Sequence, residues 1–274
     1  MEVIKWVGKE PLALVGMGVV LLIVCVALFA KQIAPYDPLE VNLPNRLQPL
    51  NGKHLLGTDN LGRDILSRII YGARIDLLIS LIVISIALSI GTALGAIAGY
   101  FRGGIGAVIM RMVDIFLSIP YLLFAMAISA ALGGGLQNTA IALIVPTMPV
   151  YARLMYGQVL LLSENDYVEA ARALGARKIS ILVRHIILNA IYPLIIQASV
   201  DIGNVIMWAS SLSFIGLGAQ PPSPEWGAMV SLGRQYLRLA WWYPTFPGLA
   251  IFLTVMGFNL MGDGIRDVFD PRLR

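Results

Sequence analysis

The chain is poor in charge, in cysteine and in histidine, and each shortage removes a class of function. Only 13% of its 274 residues are charged, against 58% hydrophobic; a soluble domain carries about a quarter charged residues. That leaves too little polar surface to cover a water-soluble fold, so the composition is that of a membrane protein. A net charge of +4 is too small to argue for nucleic acid, and in a membrane protein excess Lys and Arg marks cytosolic loops. The single cysteine, Cys25, excludes an internal disulfide framework and reads as a small buried or lipid-facing residue of an apolar run.

Catalytic and nucleotide-binding signatures are missing as well. No G-x-x-x-x-G-K motif followed by Ser or Thr occurs, so no P-loop is expected. The two histidines, His54 and His185, fall on opposite sides of the membrane in the topology below and make no H-E-x-x-H site. There is no G-x-S-x-G elbow. The chain is expected to be no enzyme and to hold no metal or cofactor of its own.

What the sequence does have is long apolar runs, each measured against the roughly 20 residues a helix needs to cross a bilayer. Leu12 to Ala30 is uncharged and flanked by Lys5, Lys9 and Lys31, which reads as a retained signal anchor. Leu77 to Tyr100 is a second run. Ile115 to Ala152 carries no charge and is too long for one helix; Gly133-Gly134-Gly135 and Asn138 mark a turn between two spans there. A fifth span is expected from about Ile186 to Met207 and a sixth from about Phe246 to Met261. The fold class is therefore all-α and polytopic, with six transmembrane helices.

Six spans put both termini on one side. The ends and short loops on that side hold Lys5, Lys9, Arg102, Arg111, Arg153, Arg172, Arg177, Lys178, Arg184, Arg266, Arg272 and Arg274, which makes it cytosolic. The segments Pro35 to Arg74 and Ser210 to Pro247 fall on the opposite face. The second holds Trp226, Trp241, Trp242 and Tyr243, which suit an interfacial aromatic belt. Residues 1–76 read as an anchor with an extracytoplasmic segment, and 77–274 as a core of five spans.

Ionisable residues inside the spans are few. Asp201 lies in the fifth, with Asn204 three residues on and on the same helical face. Two readings stay open: the pair lines a pathway, or it makes a structural hydrogen bond to a neighbouring helix. Asp76 and Asp114 sit near span ends and read as interfacial, and Asp263 lies at the cytosolic end of the sixth span. An ion-coupled transporter needs several buried acids and two related halves; neither is visible, so the energy for any transport comes from elsewhere.

Between the fourth and fifth spans, Ser163 to Lys178 reads as a short cytosolic helix. Ser163 or Asn165 caps it, Asp166 and Glu169 occupy its first turns, and Gly175 offers a stop. Val168, Ala171 and Leu174 form a narrow apolar stripe, and Ala170, Ala171 and Ala173 let another protein approach the backbone closely. Without Trp or Phe the face suits a protein groove better than a lipid surface.

Glu169-Ala170-Ala171, three residues, then Gly175 resembles the EAA-x3-G loop of ABC-importer permeases. The stretches HLLGTDNLGRDILSRIIYGAR (His54 to Arg74), SFIGLGAQPPSPEWGAM (Ser213 to Met229) and GDGIRDVFDPRLR (Gly262 to Arg274) resemble the dipeptide, oligopeptide and nickel branch, and its C-type permease subunit. One departure is local: the Ile and Leu-Pro expected beyond the loop are here His185 and Ile187-Leu188. The resemblance implies a type I importer permease in a prokaryotic plasma membrane. Its implied partners are a paralogous permease, two cytosolic ATPases that hold ATP and Mg, and an extracytoplasmic binding protein. It implies docking to the ATPase through Glu169, Ala170, Ala171, Arg172 and Gly175, with Asp201 and Asn204 as candidates for the pathway. Peptides lead as cargo, with nickel or oligosaccharide as alternatives; an ATPase-independent channel and a membrane anchor are the readings from other classes.

Overall fold

The computed structural model describes residues 11–101 and 103–269; Lys5, Lys9, Arg102, Arg272 and Arg274, counted above for orientation, lie outside them. Among the described residues five helices have the length and apolarity to cross a bilayer, and a sharply bent pair brings the candidates to six when it is counted as one span. In chain order they are α1 (Pro11–Leu28), α3 (Ile65–Tyr100), the pair α4 (Gly104–Ser118) and α5 (Tyr121–Leu132), α6 (Leu136–Leu162), α8 (Lys178–Phe214) and α10 (Trp242–Asp267). Three short helices join them: α2 (Ala30–Ile33), α7 (Asp166–Ala173) and α9 (Trp226–Gly233).

Three boundaries differ from the hydropathy reading, each for a local reason. Helix α3 starts at Ile65, a dozen residues before the uncharged run, and passes unbroken through residues 76 and 77. Its start is set by Asp64, whose carboxylate accepts from the Ser67 N–H and hydroxyl at 2.8 Å each; such a cap is worth about 1 kcal/mol. The stretch read as a third span is not one rod: α4 and α5 meet at 92°. Pro120 forces Ile119 into extended backbone (ψ 129°), which ends α4 and starts α5 in a new direction. The fifth crossing begins at Lys178 and includes a π-helical stretch, Ile181–Ile187. The chain enters the span through this widened turn. The carbonyl of His185 is taken by the Asn189 side chain at 2.6 Å and faces the Tyr167 hydroxyl at 3.4 Å.

The centre of the bundle is α3 against α6. Gly91, Gly95 and Gly99 recur every fourth residue on α3, and a Cβ at any of them would collide with α6 at Met148, Tyr151, Ala152 or Val159. Small residues at this spacing let two backbones approach closely, which is how helices associate where lipid removes the hydrophobic drive. α1 packs by similar means, with Gly16 against Leu260 and Met261 of α10.

A folded cap joins the spans at the end opposite α7. Asp59 accepts from Arg63 Nε at 2.6 Å and from the backbone N–H groups of Leu61 and Arg63. Arg68 reaches from α3 to the carbonyls of Pro38 (2.8 Å) and Ser223 (3.4 Å). Trp226 donates to the Ile69 carbonyl at 3.0 Å, and Trp242 to that of Thr58 at 3.3 Å. The aromatic belt expected here is thus mostly interior: Trp226, Trp242 and Tyr243 are buried in the cap, and only Trp241 is exposed. Their N–H and O–H groups find backbone and Asn60 partners instead of the membrane interface.

Candidate functional site

The helix expected to dock on a partner is shorter than the sequence suggests. α7 ends at Ala173 because Gly175 takes a left-handed conformation (φ +77°) and the Ala176 N–H closes back on the Ala171 carbonyl at 3.1 Å. Asn165 is the N-cap residue, through its backbone carbonyl and without a side-chain bond. The apolar stripe divides. Val168 is fully buried and Ala171 partly buried, in a cluster with Tyr151, Met155, Ile181 and Ile186 from α6 and α8. Leu174, expected on the same stripe, is 88% exposed, because the chain leaves helical geometry at that residue. α7 is therefore anchored to two spans by its inner face, while Glu169, Ala170, Arg172, Ala173 and Gly175 point outward. Beside it lies an open cavity of about 1140 Å³, lined by Tyr100 and Phe101 from the end of α3 and by Ser163, Glu169, Arg172 and Lys178.

Asp201 and Asn204 do share a face of α8, but Asp201 meets no open surface. It is 5% exposed. One oxygen accepts from the Tyr151 hydroxyl of α6 at 2.9 Å, and the other from Gln197 at 3.0 Å and Asn204 at 3.2 Å. This is a polar clasp between α6 and α8, joined to the cluster that holds α7. Tyr121 stands nearby with its ring stacked on Trp208 and its hydroxyl 2.8 Å from Thr147.

The two acids read as interfacial each have a partner. Asp76 is 0% exposed; it accepts from the Trp226 N–H at 3.2 Å and meets the Glu225 carboxyl, which also caps α9 by accepting from Gly227 (3.0 Å) and Ala228 (2.7 Å). Burial pushes the Glu225 carboxyl above the usual carboxylate range, against the pull of the Ala228 N–H. Asp114 forms an ion pair with Arg153 across α4 and α6. Neither pairing is visible in sequence, since the partners lie 149 and 39 positions apart and no local pattern links them.

Known proteins resemble this chain in sequence and in fold. Residues 91–274 match the family described as binding-protein-dependent transport system inner membrane component, and residues 8–49 match the N-terminal transmembrane domain of oligopeptide transport permease C. The chain is 46% identical over 268 residues to the probable D,D-dipeptide transport system permease protein DdpC of Escherichia coli, covering 97% of this chain and 90% of that one. It is likewise 46% identical to the di/tripeptide transport system permease protein DppC of Pseudomonas aeruginosa, over 96% of this chain and 88% of the relative. In structure it resembles a chain of the inward-facing MetNI methionine ABC transporter, with a TM-score of 0.61 at 19% identity, covering 75% of this chain and 98% of that one. By the family match and these relatives, the chain belongs to the inner-membrane components of binding-protein-dependent ABC transport systems.

Proposed function

We propose that this chain forms one half of the pore of an ATP-driven importer of di- and oligopeptides, and that α7 is the element through which cytosolic ATPases drive it. The observation that carries the coupling is the two-sided build of α7. Val168 and Ala171 lock it to α6 and α8, so a push on α7 is passed to two spans. Its outer face offers small side chains and two opposite charges, Glu169 and Arg172, for a partner to grip. A rigid element joined to packed helices is what a two-state rocking motion requires. ATP and Mg reside in the ATPases. A paralogous permease supplies the other half of the pore, and the capped face built from residues 35–74 and 210–247 meets the extracytoplasmic binding protein. Both termini are then cytosolic, on the α7 side of the membrane. Asp201 works behind the pathway wall, holding α6 to α8, with half-buried Asn204 beside it.

Peptide takes precedence over nickel or an oligosaccharide because relatives at 42–46% identity are named as dipeptide and di/tripeptide permeases. The test is reconstitution of the complete complex in proteoliposomes with its binding protein and a labelled dipeptide. Import should require ATP and the binding protein together. Dipeptide flux through this chain without ATPases would make it a channel, and assembly without any flux would make it an anchor.

A further inference from the structure

Helix α4 has three faces, and only two are accounted for by packing and lipid. At about 100° per residue, Gly106, Met110 and Val113 form one stripe, buried against α3 and α6. Ile105, Val108, Met112 and Ile115 form a second, exposed and wholly apolar, roughly 220° round the helix from the first. Arg111, Asp114 and Ser118 form a third, exposed and polar, at roughly 110°. A helix that presents lipid on one exposed face has no reason to present charge to lipid on another, because intramembrane charge faces protein or water.

Asp114 lies ten residues from the start of α4 and Arg153 nine from the end of α6, which puts both about 14–15 Å along their helices from the ends nearest α7. A carboxylate on one methylene spans only a small part of that distance. Yet the side chains of Asp114 and Arg153 are 49% and 46% exposed. Two helical turns toward the cytosol on the same two helices, Ala107 and Leu160 line a crevice of about 500 Å³ with Gly106 and Tyr156. On α6, one turn from Arg153, Gly157 faces open space. This crevice lies between the α7 end of the two helices and the ion pair.

We infer that the Asp114–Arg153 pair lines the cytosolic half of the translocation pathway and binds the two charged ends of a zwitterionic peptide, ammonium to Asp114 and carboxylate to Arg153. This deepens the peptide-importer reading and rests on it. Each charge of the pair keeps an open side, so a ligand bearing both signs completes a ring of four alternating charges without breaking the pair. Neutralising either end of the ligand leaves one fixed charge unmatched.

The test keeps the pair intact and reads its neighbour. In a Cys25→Ala background, Ser118→Cys leaves one cysteine in this chain, and the full complex is held in nanodiscs without nucleotide. A charged, water-soluble methanethiosulfonate should modify it. Alanyl-alanine near saturation should slow that reaction about tenfold, and its N-acetyl amide should not. Adding Asp114→Asn and Arg153→Gln should abolish protection while leaving modification intact, and Ala107→Cys should react in the same way as an independent position. Reaction only with a lipid-soluble maleimide would mean a lipid face. Reaction with neither reagent would mean a face covered by the second permease, and modification without protection by alanyl-alanine would mean a wet face that binds no peptide. Any of the three overturns the proposal. Labelling needs no ATP, so failed import with protection preserved would count against the importer reading and not against this site.

Discussion

Asp76 and Glu225 meet where α3 passes the start of α9, and the chemistry of two buried carboxyls in contact governs how this region responds to pH. Asp76 Oδ2 accepts from Trp226, while Oδ1 is buried and meets no backbone or amide donor. Two like charges this close cannot both ionise, so the pair titrates as a unit. Burial raises the Glu225 carboxyl above its ordinary value of 4.5. A raised folded value means that the folded protein holds more protons than the unfolded chain between the two values. Stability is then complete below about 4.5 and falls as pH rises through the folded value. Asp76→Asn supplies an N–H to Glu225 and keeps the acceptor for Trp226. Because Glu225 stays buried in the variant, its melting should still decline as pH rises, less steeply than that of the parent protein, with no loss of stability at pH 7. The stretch around Glu225 is recognisable in sequence as part of a family-like motif, but its partner is not. Asp76 sits at the edge of an apolar run, where hydropathy reads an acid as interfacial.

At the scale of elements, the close packing of α3 on α6 is the join that the rest of the bundle uses. Replacing Gly95 with Leu inserts a side chain where the α6 backbone already touches. Overpacking of this kind costs about 1–3 kcal/mol or more, and the variant should lower the thermal midpoint and the yield of assembled complex. The same change at Gly157, which faces open space, should leave the midpoint unchanged. Spans and their order were legible because length and apolarity are one-dimensional properties. The glycine spacing was equally present in the sequence, but its meaning depends on which helix lies opposite. The break at Pro120 was hidden inside a charge-free stretch, where a hydropathy window sees only apolar residues. α7 was legible through its alanines and Gly175, and Val168 and Ala171 of its apolar stripe do pack inward; Leu174 does not, because the backbone is no longer helical there.

At the scale of the molecule, one end is a rigid cap and the other carries an exposed handle. The cap ties residues 35–74 to 222–243 through Asp59, Arg68, Trp226 and Trp242. The handle, α7, is fixed to the α6 and α8 spans, which the Asp201 clasp holds together. On the proposed reading the cap is the surface for delivery and α7 the lever for energy input, and the two lie at opposite ends of the bundle. The most direct measurement is on the lever. Ala170→Trp and Ala173→Trp enlarge only the outer face of α7, so the spans should fold and pair with the second permease as before. Co-purification of the ATPases and ATP-dependent dipeptide import should both fall by about tenfold or more, as expected when a bulky side chain blocks a close contact at an interface. Full ATPase retention and undiminished import in both variants would contradict the claim that α7 couples ATP to transport.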